Sequence, residues 1–219
     1  MSRTVHIVDY GIGNLHSVSR AIEKAGGEPR LTGDADELLN AERIVLPGVG
    51  AFEPCISTLR QSGLVKPILE FAQSGRPFLG ICVGMQLLFD YSLEYGRHEG
   101  LGLIAGHVAP IPPSDSTNTR KVPHIGWSPL MLTEHRASWA GTLLADVRQG
   151  ESSVYFVHSF SCVPDNSDYR LADVDYSGYT ICAAVKRENI HGFQFHPEKS
   201  GNVGLKLLNT FLNYRTTSN

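Results

Sequence analysis

The chain has 219 residues, enough for one domain with a sizeable core, and its 42% hydrophobic and 19% charged residues exclude disorder. A formal net charge of −3 with no basic stripe and no polybasic or amphipathic run argues against a nucleic-acid partner and against a membrane surface. The longest apolar run, around Pro77 to Phe89, is broken by Gly80, Gly84 and Gln86 and is too short to span a bilayer.

In chain order, the first residues enter an apolar run almost at once, with no signal-peptide pattern, so a cytoplasmic location is expected. Val5 to Asp9 reads as a buried strand. Asn14 to Ala25 carries Leu15, Val18, Ala21, Ile22 and Ala25 at helical spacing and stops at Gly26-Gly27. Arg43 to Leu46 is a strand ended by Pro47-Gly48. Ala51 to Gln73 reads as helical, with an interruption near Gly63 to Pro67. Phe78 to Ile81 is a third buried strand, and Val83 to Tyr91 reads as the helix after it. Beyond residue 100 the character changes. Residues 100–104, 107–111 and the run from Val154 suggest strands, and Pro110 to Thr119 is a surface loop by composition. Thr180 to Val185 and Ile190 to Phe195 suit a hairpin across Lys186 to Asn189, and Val203 to Tyr214 suits a closing amphipathic helix. The expectation is one α/β domain over residues 1–219, with a mostly parallel central sheet flanked by helices and an added antiparallel layer.

Four cysteines, Cys55, Cys82, Cys162 and Cys182, are scattered without any C-x-x-C, which argues against a disulfide framework or a zinc clip. Each is a buried hydrophobe or a reactive thiol. Cys82 stands apart, because Gly80-Ile-Cys82-Val-Gly84 joins a buried strand to a helix in the nucleophile-elbow pattern. Such a turn strains the central residue and projects its side chain above the sheet. The helix N-terminus then favours a thiolate, and the Val83 N–H is free to meet an oxyanion. The plainer reading is a core cysteine between two packing glycines. A second feature adds weight: an apolar strand runs into His196-Pro197-Glu198. Pro197 favours extended backbone at His196, so Glu198 can bond one ring nitrogen and leave the other to deprotonate Cys82. Strand C-termini are also where open α/β sheets collect ligands.

Pro47-Gly48-Val49-Gly50 ends another buried strand, and a Gly-rich turn there can supply a second oxyanion donor at Val49 or Gly50. Its glycines also allow the Val49 carbonyl to face the site at rest and turn away on activation. Asp9 to Asn14 contains a G-x-G but lacks the third glycine of a dinucleotide fingerprint, so no nucleotide is expected. His191 and Cys182 form no ligand pair with His196 at a convincing spacing, so neither a metal nor a cofactor is expected.

Residues 80–86 together with His196-Pro197-Glu198 resemble the class I (triad) glutamine amidotransferases, over nearly the whole chain. Asp9 to Leu15, Leu46 to Phe52, Val122 to Trp127, Tyr155 to Phe160 and His196 to Ser200 narrow the resemblance to the glutaminase subunits of imidazole glycerol phosphate synthase. The resemblance implies a flavodoxin-like amidotransferase fold. It implies Cys82 as nucleophile, His196 as base and then acid, and Glu198 as its orienting group. Gly48, Gln86, His158, Ser159 and Phe160 would hold glutamine. Asn14, Trp127 and Lys199 would face a (β/α)₈ cyclase subunit, the second member of a heterodimer, which receives the ammonia. Ser128-Pro129 follows Trp127 where asparagine is expected, a departure that bears on the interface and not on the triad. Rival readings are an amidotransferase of another pathway, a secreted γ-glutamyl hydrolase, and a non-catalytic interaction domain on the same fold.

Overall fold

The computed structural model describes residues 3–114 and 120–215. Its first half alternates strand and helix: β1 (Thr4–Val8), α1 (Leu15–Lys24), β2 (Glu28–Thr32), α2 (Ala35–Asn40), β3 (Ile44–Gly48), α3 (Phe52–Gln61), α4 (Val65–Gln73), β4 (Phe78–Cys82) and the four-residue α5 (Val83–Gln86). Every residue of β3 and β4 is buried, as expected of strands covered by helices on both faces. The sequence reading passes over β2 and α2. β2 is an edge strand, largely exposed, with a proline and two charged residues, so it lacks the apolar run of its neighbours. α2 is short, and its cap, Asp34 accepting from the Glu37 N–H at 2.9 Å, carries much of its definition.

The second half adds β5 (Phe89–Ser92), β6 (His98–Glu99), β7 (Ile104–Pro110), β8 (His124–Pro129), β9 (Ser153–His158), β10 (Phe160–Pro164), β11 (Arg170–Tyr176), β12 (Tyr179–Arg187), β13 (Ile190–Phe193) and α6 (Gly201–Asn213). The main sheet has seven strands in the order β11-β12-β13-β4-β3-β1-β2. The strands β13, β4, β3, β1 and β2 are mutually parallel, and β12 and β11 extend the sheet antiparallel. A four-stranded sheet, β10-β7-β5-β6, and the β8-β9 ribbon form the added layer. The expected hairpin is β12-β13, with Lys186 opposite His191.

Two expectations need correction. The helix expected over Val83 to Tyr91 stops at Gln86, and Phe89–Ser92 is a strand. The Leu87 carbonyl accepts from Leu101 N, and the Leu88 carbonyl from Leu103 N and Ile104 N at 2.8–2.9 Å. Those bonds take the carbonyls a continuing helix would need. The segments expected at 100–104 and 107–111 are not two strands, since one strand, β7, runs through Ile104–Pro110. Part of the expected loop, residues 115–119, lies outside the described residues, while residues 111–114 are neither helix nor strand.

Parallel pairing fixes where chemistry can gather. Gly48 pairs with Cys82 and Ile81 with Phe193, so β3, β4 and β13 end side by side on one edge of the sheet.

Candidate active site

Cys82 closes β4 with φ 56° and ψ −115°, a strained conformation for a side-chain-bearing residue. The flanking glycines permit it. A Cβ on Gly80 would lie 2.7 Å from the Gly84 carbonyl oxygen, and one on Gly84 would collide with the Leu46 carbonyl. The elbow is therefore a steric necessity of this strand-to-helix turn.

His196 lies just past β13, anchored to β9. Its N–H donates to Tyr155 O at 2.9 Å, and the Ser200 hydroxyl donates to His196 O at 2.6 Å while accepting from Tyr155 N at 3.0 Å. Its backbone is extended (φ −98°, ψ 99°), as a following proline requires. Glu198 follows in a 3₁₀ turn, Pro197–Lys199, and its Oε1 lies 2.7 Å from His196 Nδ1. The Glu198 side chain is only 1% exposed, so this contact is shielded from water. Burial alone would lower the His196 pKa, but hydrogen bonds and charge from Cys82 and Glu198 outweigh it and raise it to about 10. His196 is thereby made a strong acceptor for a proton beside Cys82.

Cys82 and His196 open into a cleft of about 430 Å³. Val83, Gln86, Val49 and Gly50 line one part of it, and His158, Ser159 and Phe160 line another. Lys199 reaches its rim. Gly48 does not line the cleft; it lies beneath, where a Cβ would sit 2.7 Å from Gly84 N, and so serves close packing of β3 against the elbow. Glu198 stands behind His196. Trp127, 56% exposed, packs edge-on to Tyr155 at 5.9 Å, and Lys199 Nζ lies 5.8 Å from the same ring, so those two share a surface beside the cleft. Asn14 is the half-buried N-cap of α1 and makes no side-chain cap bond.

Two side chains hold the 47–50 turn. Tyr10 Oη donates to Pro47 O at 2.9 Å, and Cys55 Sγ donates to Val49 O at 3.4 Å. The Val49 carbonyl is thus turned to Cys55, where the sequence also allowed it to face the site. Across that trans peptide the Gly50 N–H points the opposite way. Gly50 itself has φ +90° with open space where a Cβ would be.

Sequence reasoning missed several residues. Glu94 and Tyr95 line the cleft, and Glu94 Oε2 accepts from Phe52 N at 2.7 Å, at the start of α3. They follow the segment read as helix, which concealed them. Gln194, fully buried, accepts from Gln86 Nε2 at 3.0 Å and approaches Cys82 Sγ at 3.9 Å through its own Nε2. Burial raises Cys55 to about 11 and Cys182 to about 12 and also pushes the Cys162 thiol well up, and none of these three lines the cleft. Among the described residues no group of three or more His, Cys, Asp or Glu side chains is placed to hold a metal ion.

Cys82, His196 and the buried carboxylate of Glu198 thus converge beside the 47–50 turn, an arrangement suited to acyl transfer. The family model described as glutamine amidotransferase class-I matches residues 6–213. Imidazole glycerol phosphate synthase subunit HisH 1 of Legionella pneumophila (strain Lens) is 49% identical over 210 residues, covering 95% of this chain and 98% of that protein. Imidazole glycerol phosphate synthase subunit HisH of Geobacter metallireducens is 48% identical over 210 residues, covering 95% and 97%. Among solved structures, PurLQS from Thermotoga maritima superposes with a TM-score of 0.72 at 22% identity, covering 97% of this chain and 99% of that one, a likeness of fold.

Proposed function

The chain belongs to the class-I glutamine amidotransferases, and from that membership we propose that it is the glutaminase subunit of an imidazole glycerol phosphate synthase. It hydrolyses glutamine to glutamate and ammonia and delivers the ammonia for histidine biosynthesis. Residues 1–219 form one amidotransferase domain, acting in the cytoplasm. No described helix is long and apolar enough to cross a membrane.

The observation that carries this reading is the strained Cys82 facing a His196 whose other nitrogen is held by a buried Glu198. Cys82 Sγ attacks the carboxamide carbon of glutamine as its thiol proton passes to His196. The carbonyl oxygen becomes an oxyanion received by the N–H groups of Val83 and of Val49 or Gly50. His196 gives its proton to the leaving nitrogen, ammonia departs, and a glutamyl thioester remains on Cys82. Water, deprotonated by His196, attacks the thioester, and glutamate leaves as the sulfur recovers its electrons. Gln86 and the 158–160 segment shape the glutamine pocket. Glu94, a carboxylate on the cleft wall, suits the α-ammonium of the substrate.

The partner is a (β/α)₈ cyclase subunit, which joins the ammonia to phosphoribulosyl-formimino-AICAR and yields imidazole glycerol phosphate and AICAR. The surface carrying Trp127 and Lys199, with Asn14 at the start of α1, faces that subunit. Cys82→Ala in the complex tests the assignment. Glutamine-dependent synthesis should be abolished while ammonia-dependent synthesis stays within about twofold, because the cyclase chemistry lies on the partner. Equal loss of both activities would make Cys82 a structural residue.

A further inference from the structure

Two buried histidines, His158 on the cleft wall and His124 behind it, are not used by the triad. His124, on β8, is 1% exposed, stacked against Tyr176 at 4.0 Å and Phe156 at 4.7 Å between ring centroids. Its Nδ1 lies 3.0 Å from His158 Nε2, and its Nε2 lies 3.0 Å from Ser128 Oγ. His158 Nδ1 lies 2.8 Å from the Phe160 carbonyl oxygen. That same oxygen accepts from Gln86 Nε2 at 3.2 Å. The series of contacts ends on an atom shared by two walls of the glutamine pocket.

Chemistry at one end fixes the direction of every bond. A carbonyl oxygen can only accept, so His158 Nδ1 carries a hydrogen. Burial lowers His158 to about 3 and His124 to about 4, so each ring is neutral near pH 7 and holds one N–H. His158 Nε2 is then a lone pair, and His124 Nδ1 must donate to it. His124 Nε2 becomes a lone pair in turn, and the Ser128 hydroxyl must donate to that. The reversed assignment would set a nitrogen lone pair against the Phe160 oxygen.

We propose that Ser128 and His124 are positioning residues for glutamine: a one-way hydrogen-bond chain from the Ser128 hydroxyl through His124 and His158 to the Phe160 carbonyl locks both rings as Nδ1–H tautomers and fixes the pocket wall at 158–160. The proposal rests on the glutaminase reading for its functional half. Residues 124 and 128 share one side of β8, while Ile125 and Trp127 face outward, each 56% exposed. The chain therefore starts on the strand whose opposite face is the exposed surface beside the cleft. Position 128 must supply a donor, a need that the asparagine expected there would also meet. His158 lines the cleft, yet with both nitrogens committed it is no second base for Cys82.

The test uses the full chain, with its cyclase partner for kinetics and alone for nitrogen-15 NMR of the imidazoles. Ser128→Ala should raise the KM for glutamine about three- to tenfold, the range for one lost buried neutral hydrogen bond, with kcat within about twofold. Ser128→Thr, which keeps the donor, should restore KM. The wild-type spectrum should show both His124 and His158 as the Nδ1–H form, the minor tautomer of histidine in water. Either ring found as Nε2–H overturns the chain. An unchanged KM in Ser128→Ala, with the wild-type complex active, overturns the positioning role. If the wild-type complex releases no ammonia from glutamine, the glutaminase reading fails, and the spectrum still decides the chain.

Discussion

At the residue scale the triad is a division of labour set by surroundings. Cys82 and Glu198 raise the basicity of His196 from either side, and Glu198 is too buried to be replaced by water as a partner. His196→Ala removes the base and the later acid. Glu198→Gln keeps the base and loses only charge and orientation. In the glutaminase assay Glu198→Gln should therefore lose less activity than His196→Ala, by about one to two orders of magnitude, as orienting and base residues differ in other hydrolase triads. Equal losses would mean that Glu198 does more than orient. These three residues were legible because each sits in a local pattern with a mechanical meaning, a Gly-x-Cys-x-Gly turn and a His-Pro-Glu strand end. Glu94 and Gln194 were not, because a lone Glu or Gln carries no local signature and only the tertiary fold brings Glu94 to the cleft wall and Gln194 beside Cys82. His124 was noticed only through the resemblance, since its partners His158 and Ser128 come together only when β8 pairs with β9.

At the element scale the decisive pieces are two turns at strand ends. The elbow was readable because its glycines are required by backbone contacts across β4, β3 and α5. The 47–50 turn was readable as Gly-rich, but its support from Tyr10 and Cys55 was not, because those residues lie in other elements. Gly50 separates two roles of that turn. Gly50→Ala keeps the N–H, meets open space, and carries a positive-φ cost of about 1–2 kcal/mol. Gly50→Pro removes the N–H and cannot adopt φ +90°. If Gly50 supplies the oxyanion donor, Gly50→Pro should lower kcat about 10²–10³-fold while Gly50→Ala stays within about tenfold. Comparable kcat for the two variants would place the donor elsewhere. The misread helix after Gln86 shows the limit of periodicity: Leu87 and Leu88 suit an inner helix face equally well, and only the 101–104 segment, by taking their carbonyls, ends the helix.

At the scale of the whole molecule the parallel core was legible from its buried strands, whereas the exposed edge strand β2 and the pairing inside the added sheet were not. The folded molecule also buries three histidines as neutral rings: burial lowers His124 to about 4 and His158 and His191 to about 3. Their unfolded value is 6.5, so between about pH 6.5 and pH 4 the unfolded chain binds more protons than the folded one. Stability is full above pH 6.5 and falls as pH drops, by up to about 1.4 kcal/mol per pH unit for each histidine. His196 has the opposite sign: its contribution is full below pH 6.5 and is lost as pH rises through about 10. Urea midpoints should therefore fall from pH 7 to pH 5, and His191→Phe should flatten that fall; a midpoint independent of pH in this window would contradict neutral burial. The account as a whole stands on Cys82 being the thiol that meets glutamine, and the native chain offers three internal controls in Cys55, Cys162 and Cys182, all buried. The intact protein, in complex with its partner, is treated with an electrophilic glutamine analogue and the modified peptide is mapped. The account predicts one label, on Cys82, with activity lost in proportion and protection by glutamine. Loss of activity with the label on Cys55, Cys162 or Cys182 and Cys82 unmodified would contradict it.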